Sequence, residues 1–383
     1  MHAQDLRRGR ERERYGPRLL TGARCGRLAA IVWGTWIMTQ TALGGVAGSD
    51  EAKAWPPLPA ADGKVEIPAQ PVKPGEARTI GIHIRYPGRA LANVKPSTGL
   101  MLCLHNWGGS VFANAPQPEQ FADKLDLVGI GVDYYQTGDA DHSVPYDYGY
   151  LQTMDVLRAL YYVYRRLEIQ GIRFDRTRLY STGGSGGGNV SEMANKLAPR
   201  TLACIIDLSG MASLSPAAGN VVREARYSDD PASPAYPTPD MREIRDIGNA
   251  AHLALMKKWG NECRVIVIHG EDDQSCFAAD KKRAVAAMQA AGRDVEPHFI
   301  SKAEVDGALI GNSAHQIGDR TKLLLHFAGP SLTPGSDGLR RLKGRNDFER
   351  RETLRYPTTN GAYAVSFARG YPEIAFEARG LEP

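Results

Sequence analysis

Apolar residues recur along this chain in two registers, every second position or in short continuous runs in some stretches, and at spacings of three and four in others. The first register predicts strands and the second helices. Ile80, Ile82, Ile84 and Tyr86 alternate with Gly81, His83 and Arg85, a half-buried strand. Leu100 to Leu104 is a short apolar run ending at His105, and Leu127 to Tyr134 is another. Tyr150 to Leu167 sets Leu157, Leu160, Tyr161, Tyr164 and Leu167 at helical spacing and stops before Gly171. The series then repeats. A strand is expected over Arg178 to Thr182, a helix over Gly186 to Leu197 ended by Pro199, and a strand over Leu202 to Leu208. Further strands are expected over Cys263 to Ile268 and Glu296 to Ile300, with helices over Asp280 to Ala291 and Asp319 to Phe327. Strands alternating with helices predict the α/β class: a mostly parallel sheet with helices on both faces. In such sheets ligands bind beyond the carboxyl ends of the strands.

Three stretches leave this rhythm. Residues 49–75, rich in Pro and Ala, read as a linker or arm before a main domain over 76–330. Met211 to Gly260 holds Pro216, Pro231, Pro234, Pro237 and Pro239 and then a helical stretch from Met241 to Trp259, an insertion expected to form a lid. The tail over 331–383 is polar and basic through Arg351, then alternates like strands from Ala362 to Phe376, and reads as an appendage of underivable role.

The N-terminus changes the charge picture. Residues 1–27 carry eight arginines against three acids, and Leu28 to Val46 has no charge, which reads as a signal peptide over 1–48 with small residues at Gly45-Val46-Ala47. Export to the periplasm or the medium follows. Without the leader the formal net charge of +4 falls to near neutral, so nothing suggests a nucleic-acid partner. The expected partner is a small-molecule or polymer substrate, with no stable insertion in a membrane after cleavage. Of the cysteines left, Cys103 and Cys204 sit in strand-like runs as buried thiols, and Cys263 and Cys276 lie at opposite ends of another. No cluster has metal-ligand spacing, so no metal is expected.

The sharpest chemical signal is Gly183-Gly184-Ser185-Gly186-Gly187, placed after a strand and before a helix. Gly-x-Ser-x-Gly in that setting puts a nucleophilic serine on a sharp turn, and the small neighbours keep the turn free of clashes. The glycines fit neither a dinucleotide fingerprint, which needs glycine at Asn189, nor a phosphate loop, which needs a following lysine, so no cofactor is expected. The serine needs a base, and with this motif an acid follows it in the chain and a histidine follows the acid. Val265 to Ile268, then His269-Gly270-Glu271-Asp272-Asp273, offers the acid after a strand; Asp273 is preferred, with Asp272 and Glu271 as alternatives. Among His298, His315 and His326, only His315 lies in a loop outside an element, so it is the expected base. Backbone N–H groups of Asn106 and Trp107, after the strand ending at His105, together with that of Gly186, are the expected oxyanion hole.

With the Leu104-His105 turn, Phe174-Asp175 before Arg178-Leu179-Tyr180, the serine turn, and His269-Gly270 followed by Asp273, residues 76–330 resemble the α/β-hydrolase superfamily. Within it they resemble secreted polyester depolymerases, feruloyl-type esterases and prolyl-oligopeptidase-like hydrolases. Those families usually have Gly where this chain has Asn106, which implies a positive φ that Asn tolerates. In overall pattern the chain is also similar to the oxidised poly(vinyl alcohol) hydrolases. That similarity implies cleavage of β-diketones by the same serine machinery. Carboxylic esters or polyesters are the alternative. A prolyl-oligopeptidase-like peptidase ranks behind both, because that type usually carries a large N-terminal propeller and here about thirty residues precede the first expected strand. A non-catalytic binding protein of this fold ranks lower still, since such proteins commonly lose a member of the triad.

Overall fold

The computed structural model describes residues 51–138, 144–215, 219 and 224–380, so the leader expected over 1–48 lies outside the described residues. Eight strands form one sheet: β1 Gly63–Pro68, β2 Thr79–Arg85, β3 Gly99–Leu104, β4 Leu127–Asp133, β5 Leu179–Gly184, β6 Cys204–Leu208, β7 Arg264–Gly270 and β8 Val295–Ile300. Their order is β1-β2-β4-β3-β5-β6-β7-β8. β2 is antiparallel to both its neighbours, and β3 to β8 are mutually parallel. This is the expected sheet of the α/β-hydrolase fold. β3, β5 and β6 are buried at every position; β3 is apolar throughout and reads as an unbroken run, whereas β5 carries Ser181 and Thr182 and β6 carries Asp207.

Alternation along each strand divides the apolar residues between two cores. Leu100, Leu102 and Leu104 of β3 face the helices α2 Leu151–Ile169 and α3 Gly186–Leu197, with residues of α5 Ala250–Lys258 and α6 Ala278–Ala290 in the same core. Met101 and Cys103 face the other way, against Phe121, Leu125 of α1 Ala122–Leu125, and Leu323 and Leu324. The helix expected over Asp319 to Phe327 begins as α7 Arg320–Leu323, capped by Asp319, and widens into a π turn over Leu324–Ala328. The helical stretch expected over Met241 to Trp259 is two helices, α4 Pro239–Arg245 and α5. The break has a local cause, because the Asn249 side chain accepts from His252 N–H and starts a new helix.

The stretch 49–75 is not a free arm. It contains β1, whose short Lys64-Val65-Glu66-Ile67 alternation was masked by the surrounding prolines, and it buries Trp55 and Leu58 in the main core. Nor is the tail over 331–383 a loose appendage. Its strands β9 Thr353–Pro357, β10 Gly361–Ser366 and β11 Glu373–Ala378 form an antiparallel sheet in the order β11-β10-β9. Leu354, Tyr356, Tyr363, Val365 and Ile374 join the main core. The two ends meet: Trp55 packs on Tyr371 at 5.3 Å, and Gln70 donates to Ile374 O at 2.7 Å. The β9–β10 turn also grips the insertion, with Asn360 donating to Asp240 of α4 through its backbone N–H at 2.7 Å and its side chain at 2.8 Å.

One tail residue locks this arrangement. Asp347 is fully buried and accepts from Arg200 N–H at 2.8 Å, Arg200 Nε at 2.6 Å and Thr201 Oγ1 at 3.0 Å. Asp347→Ala would leave the buried Arg200 guanidinium without its main counter-charge. The expected loss is about 3 kcal/mol, read as a shift in the denaturant midpoint; an unchanged midpoint would show that the tail does not stabilise the domain.

Candidate active site

β5 ends at Gly184 and α3 begins at Gly186, so Ser185 makes the whole reversal between strand and helix. Its backbone is at φ 56°, ψ −117°, a conformation that non-glycine residues rarely hold and that persists only where the surroundings enforce it. Two enforcers are visible. Ser185 N–H donates to Leu208 O at 2.9 Å, and Gly183 lies so close to Gly187 that a Cβ on the first would overlap the backbone of the second. The glycines expected to keep the turn free of clashes therefore act by direct contact.

At the end of β7 the carboxylate of Asp273 is fully buried and held from three sides. Its Oδ1 accepts from Ser275 N–H at 2.8 Å and Cys276 N–H at 2.9 Å, and its Oδ2 accepts from His315 Nδ1 at 2.7 Å. The alternatives expected at this turn are engaged elsewhere: Asp272 accepts from Ser313 Oγ, and Glu271 pairs with Lys282 at 2.6 Å. His315, with its side chain 19% exposed, carries its proton on Nδ1 in this hydrogen bond, which leaves Nε2 as a lone pair. The other two histidines lie apart from this site: His298 bonds Glu296 at 2.9 Å, and His326 is exposed with its ring edge on Phe327.

A residue that the sequence did not single out joins the pieces. Arg320 Nη1 donates to Leu208 O at 3.0 Å, the same oxygen that accepts from Ser185 N–H, and its Nη2 donates to His315 O at 3.3 Å. Burial lowers Arg320 to about 10, so it remains a cation at neutral pH. The turn of the serine and the loop of the histidine thus share one carbonyl through one guanidinium. Only its place in the fold marks it; an arginine at a helix start carries no sequence signal.

At the oxyanion turn, a Cβ on Gly186 would stand 2.7 Å from Trp107 N, so these two backbone groups lie side by side. As the first residue of α3, Gly186 has no helical acceptor for its N–H. Asn106 does not join them, because its N–H donates to Ala113 O at 3.2 Å. The positive φ expected at Asn106 also falls elsewhere, on Gly108 at 71°. His105 is structural: its Nδ1 donates to Asn106 O at 2.7 Å, its Nε2 accepts from Thr137 Oγ1 at 2.8 Å, and its ring stacks on Tyr134.

An aromatic wall, of which the sequence singles out Trp107 alone, stands beside this turn. Trp107 stacks on Tyr146 at 4.3 Å, and Tyr146 and Tyr148 pack with Met211, Leu214 and Tyr227 of the insertion. Tyr146 N–H donates to Ala225 O at 3.0 Å and Tyr227 OH donates to Tyr146 O at 2.8 Å, so the insertion anchors the wall. Besides Trp107, the Tyr146-Asp147-Tyr148-Gly149-Tyr150 run is its trace in the sequence. Among the described residues, one trio could ligate a metal ion: Asp273, Cys276 and His315.

No curated protein matches the chain. Residues 147–333, a little under half of it and containing Ser185, Asp273 and His315, match the model of the prolyl oligopeptidase family. The sequence reading had ranked that type of hydrolase behind esterases and β-diketone hydrolases. Among solved structures, the acylaminoacyl peptidase of Pyrococcus horikoshii is similar with a TM-score of 0.51 at 13% identity, over 73% of this chain and 43% of that one. The chain therefore spans less than half of that peptidase. Esterase 2 of Thermogutta terrifontis is aligned over 72% of this chain and 96% of its own, with a TM-score of 0.45 at 14% identity. The fold is that of the α/β hydrolases.

Proposed function

We propose that the chain transfers an acyl group to water through Ser185, His315 and Asp273, acting on an uncharged substrate whose best candidate is a β-diketone in an oxidised polymer such as oxidised poly(vinyl alcohol). The observation that carries the catalytic part is the Asp273–His315 hydrogen bond, tied through Arg320 and Leu208 O to the strained turn of Ser185. Ser185 Oγ attacks the carbonyl carbon while His315 Nε2 takes its proton, and Asp273 stabilises the imidazolium. The N–H groups of Gly186 and Trp107 receive the negative oxygen, and such a donor contributes about 3 to 4 kcal/mol. With a β-diketone, the C–C bond breaks as the tetrahedral intermediate collapses, and the enolate carbon takes the proton from His315. Water, activated by the same histidine, then releases the acyl group as a carboxylate beside a methyl ketone.

The aromatic wall of Trp107, Tyr146, Tyr148 and Tyr227 supports an uncharged ligand. The apolar run over 28–46 supports export to the periplasm or the medium, and among the described residues no helix is long and apolar enough to cross a membrane. The match to the prolyl oligopeptidase family favours a second reading, cleavage of a peptide, and the likeness to an acylaminoacyl peptidase makes an acylated one the form to test.

A panel separates them. Purified enzyme is expected to remove the ultraviolet absorbance of acyclic β-diketones with release of one carboxylate per event, and to hydrolyse short p-nitrophenyl esters. Ester hydrolysis without diketone loss would assign a carboxylesterase. Faster turnover of acylated amino-acid anilides than of either would assign a peptidase.

A further inference from the structure

The turn that carries Asp273 ends at Cys276, whose side chain is 2% exposed. Its Sγ, a carboxylate oxygen of Asp273 and a ring nitrogen of His315 all lie within 4.8 Å of one another. The thiol takes no part in orienting the carboxylate, which is held by backbone N–H groups and by His315. Sulfur, nitrogen and oxygen donors converging in this way form the ligand set that zinc favours over magnesium or calcium.

The geometry is within reach of such an ion. Zinc ligands stand about 2.0 to 2.3 Å from the metal, which in a tetrahedron places them roughly 3.3 to 3.6 Å apart. The 2.7 Å between Asp273 Oδ2 and His315 Nδ1 would have to open by about 1 Å, and the thiol, within 4.8 Å of both partners, to close in. His315 lies at the open side of the trio and leaves the fourth position to water. Of the cations nearby, Lys281 is paired with Asp207. Burial and the Asp273 carboxylate hold the Cys276 thiol protonated without an ion, so the ion itself has to displace that proton.

We propose that Asp273, Cys276 and His315 form an inhibitory site for zinc or a similarly thiophilic divalent ion. The ion enters between His315 and Asp273. Nδ1 becomes a metal ligand, and its proton is replaced by one on Nε2, since a neutral imidazole keeps a single proton. Cys276 binds as the thiolate and releases its proton to solvent, so one proton leaves per ion bound. A histidine protonated on Nε2 cannot take the proton of Ser185, and hydrolysis stops. Binding itself stands on the three donors alone; only the inhibition rests on the catalytic reading above.

Two measurements test this. Zinc chloride is expected to inhibit p-nitrophenyl ester hydrolysis reversibly, with activity restored by a chelator. In Cys276→Ala and Cys276→Ser, each compared with its own zinc-free rate, the inhibitory concentration should rise at least about 10-fold, since loss of even an outer-shell partner costs that much. Separately, cobalt(II) added to Ser185→Ala should give a near-ultraviolet thiolate charge-transfer band that vanishes when Cys276→Ala is added. Equal zinc sensitivity in the cysteine variants, or a cobalt spectrum without the thiolate band, overturns the site. A cobalt–thiolate band in a chain that hydrolyses nothing keeps the site and overturns the catalytic reading instead.

Discussion

Ser185→Ala is expected to lower kcat by on the order of 10⁴- to 10⁶-fold and leave a folded protein. The residual rate comes from binding and the oxyanion donors, which the substitution does not touch. The stability of the variant should match or slightly exceed that of the parent. Alanine at this position keeps the backbone hydrogen bond to Leu208 O and bears the same φ of 56°, while no buried partner of the hydroxyl is lost. Asp273→Asn should lose activity to a similar extent. An amide can turn an N–H toward His315 and so favour the tautomer whose Nε2 is already protonated. Asp272→Asn should stay active, because that carboxylate meets Ser313 and not His315. A dead Asp272→Asn beside an active Asp273→Asn would reverse the assignment of the acid, and full activity in Ser185→Ala would end the nucleophile's.

The second large effect concerns acid. Going from about pH 8 to about pH 5, three buried histidines are each expected to cost about 2 kcal/mol of stability. Glu192 offsets part of this, because burial raises its carboxyl to about 7 and the folded chain takes up that proton in the same window. Burial lowers His105 to about 4, His252 to about 3 and His269 to about 4, and Lys196 and Lys281 reinforce the shift at the last two. Asp133 beside His105 and Asp273 beside His269 oppose it. The bonds that His252 Nε2 donates to Pro357 O at 2.8 Å and His269 Nε2 to Cys276 O at 2.8 Å also favour the charged ring, but burial outweighs them. The buried Nδ1 of each has no partner among the described residues to receive a second proton. The sign follows from proton binding. An unfolded histidine takes up its proton below about 6.5, whereas the folded ones do not until pH 3 to 4. The unfolded state therefore gains protons first, and stability falls as pH drops through that window. Whole domains are stable by only about 5 to 15 kcal/mol, so the loss is large. Denaturant midpoints at the two pH values measure it. His252→Gln, which keeps a donor for Pro357 O but cannot charge, should recover its own share of the loss, about 2 kcal/mol. Equal acid sensitivity in His252→Gln and in the parent would show that this ring is free to protonate in place.

His269 links the two predictions. Its Nε2 stands 3.4 Å from Asp273 Oδ2, so acid that protonates and displaces this ring would disturb the carboxylate that orients His315.

The sequence by itself determined the class of fold and the order of its chemistry. The buried parallel strand over Leu100 to Leu104 is apolar at every position, and that over Leu202 to Leu208 is so except at Asp207, whose charge Lys281 meets. The turn at Ser185 tolerates only small neighbours, so each of the three leaves a local mark. Asp273 stands out after a strand signal and His315 as the one of three late histidines in a loop, and the structure brings these two into one hydrogen bond. What lacked a local mark was decided by tertiary structure. β1 needed its partner β2 to show that 49–75 belongs to the sheet, because six alternating residues among prolines have no meaning without a neighbouring strand. The tail needed the core, since Tyr356 and Asp347 become structural only where α3 and Arg200 meet them. Asn106 passed as an oxyanion donor until Ala113 O was seen to claim its N–H, and Arg320 acquired a role only when Leu208 O and the His315 loop came within reach of one guanidinium. Contacts between residues 42 to 112 positions apart, such as Asp273 to His315 and Leu208 to Arg320, are set by chain closure and packing, and no pattern of neighbours along the chain encodes them.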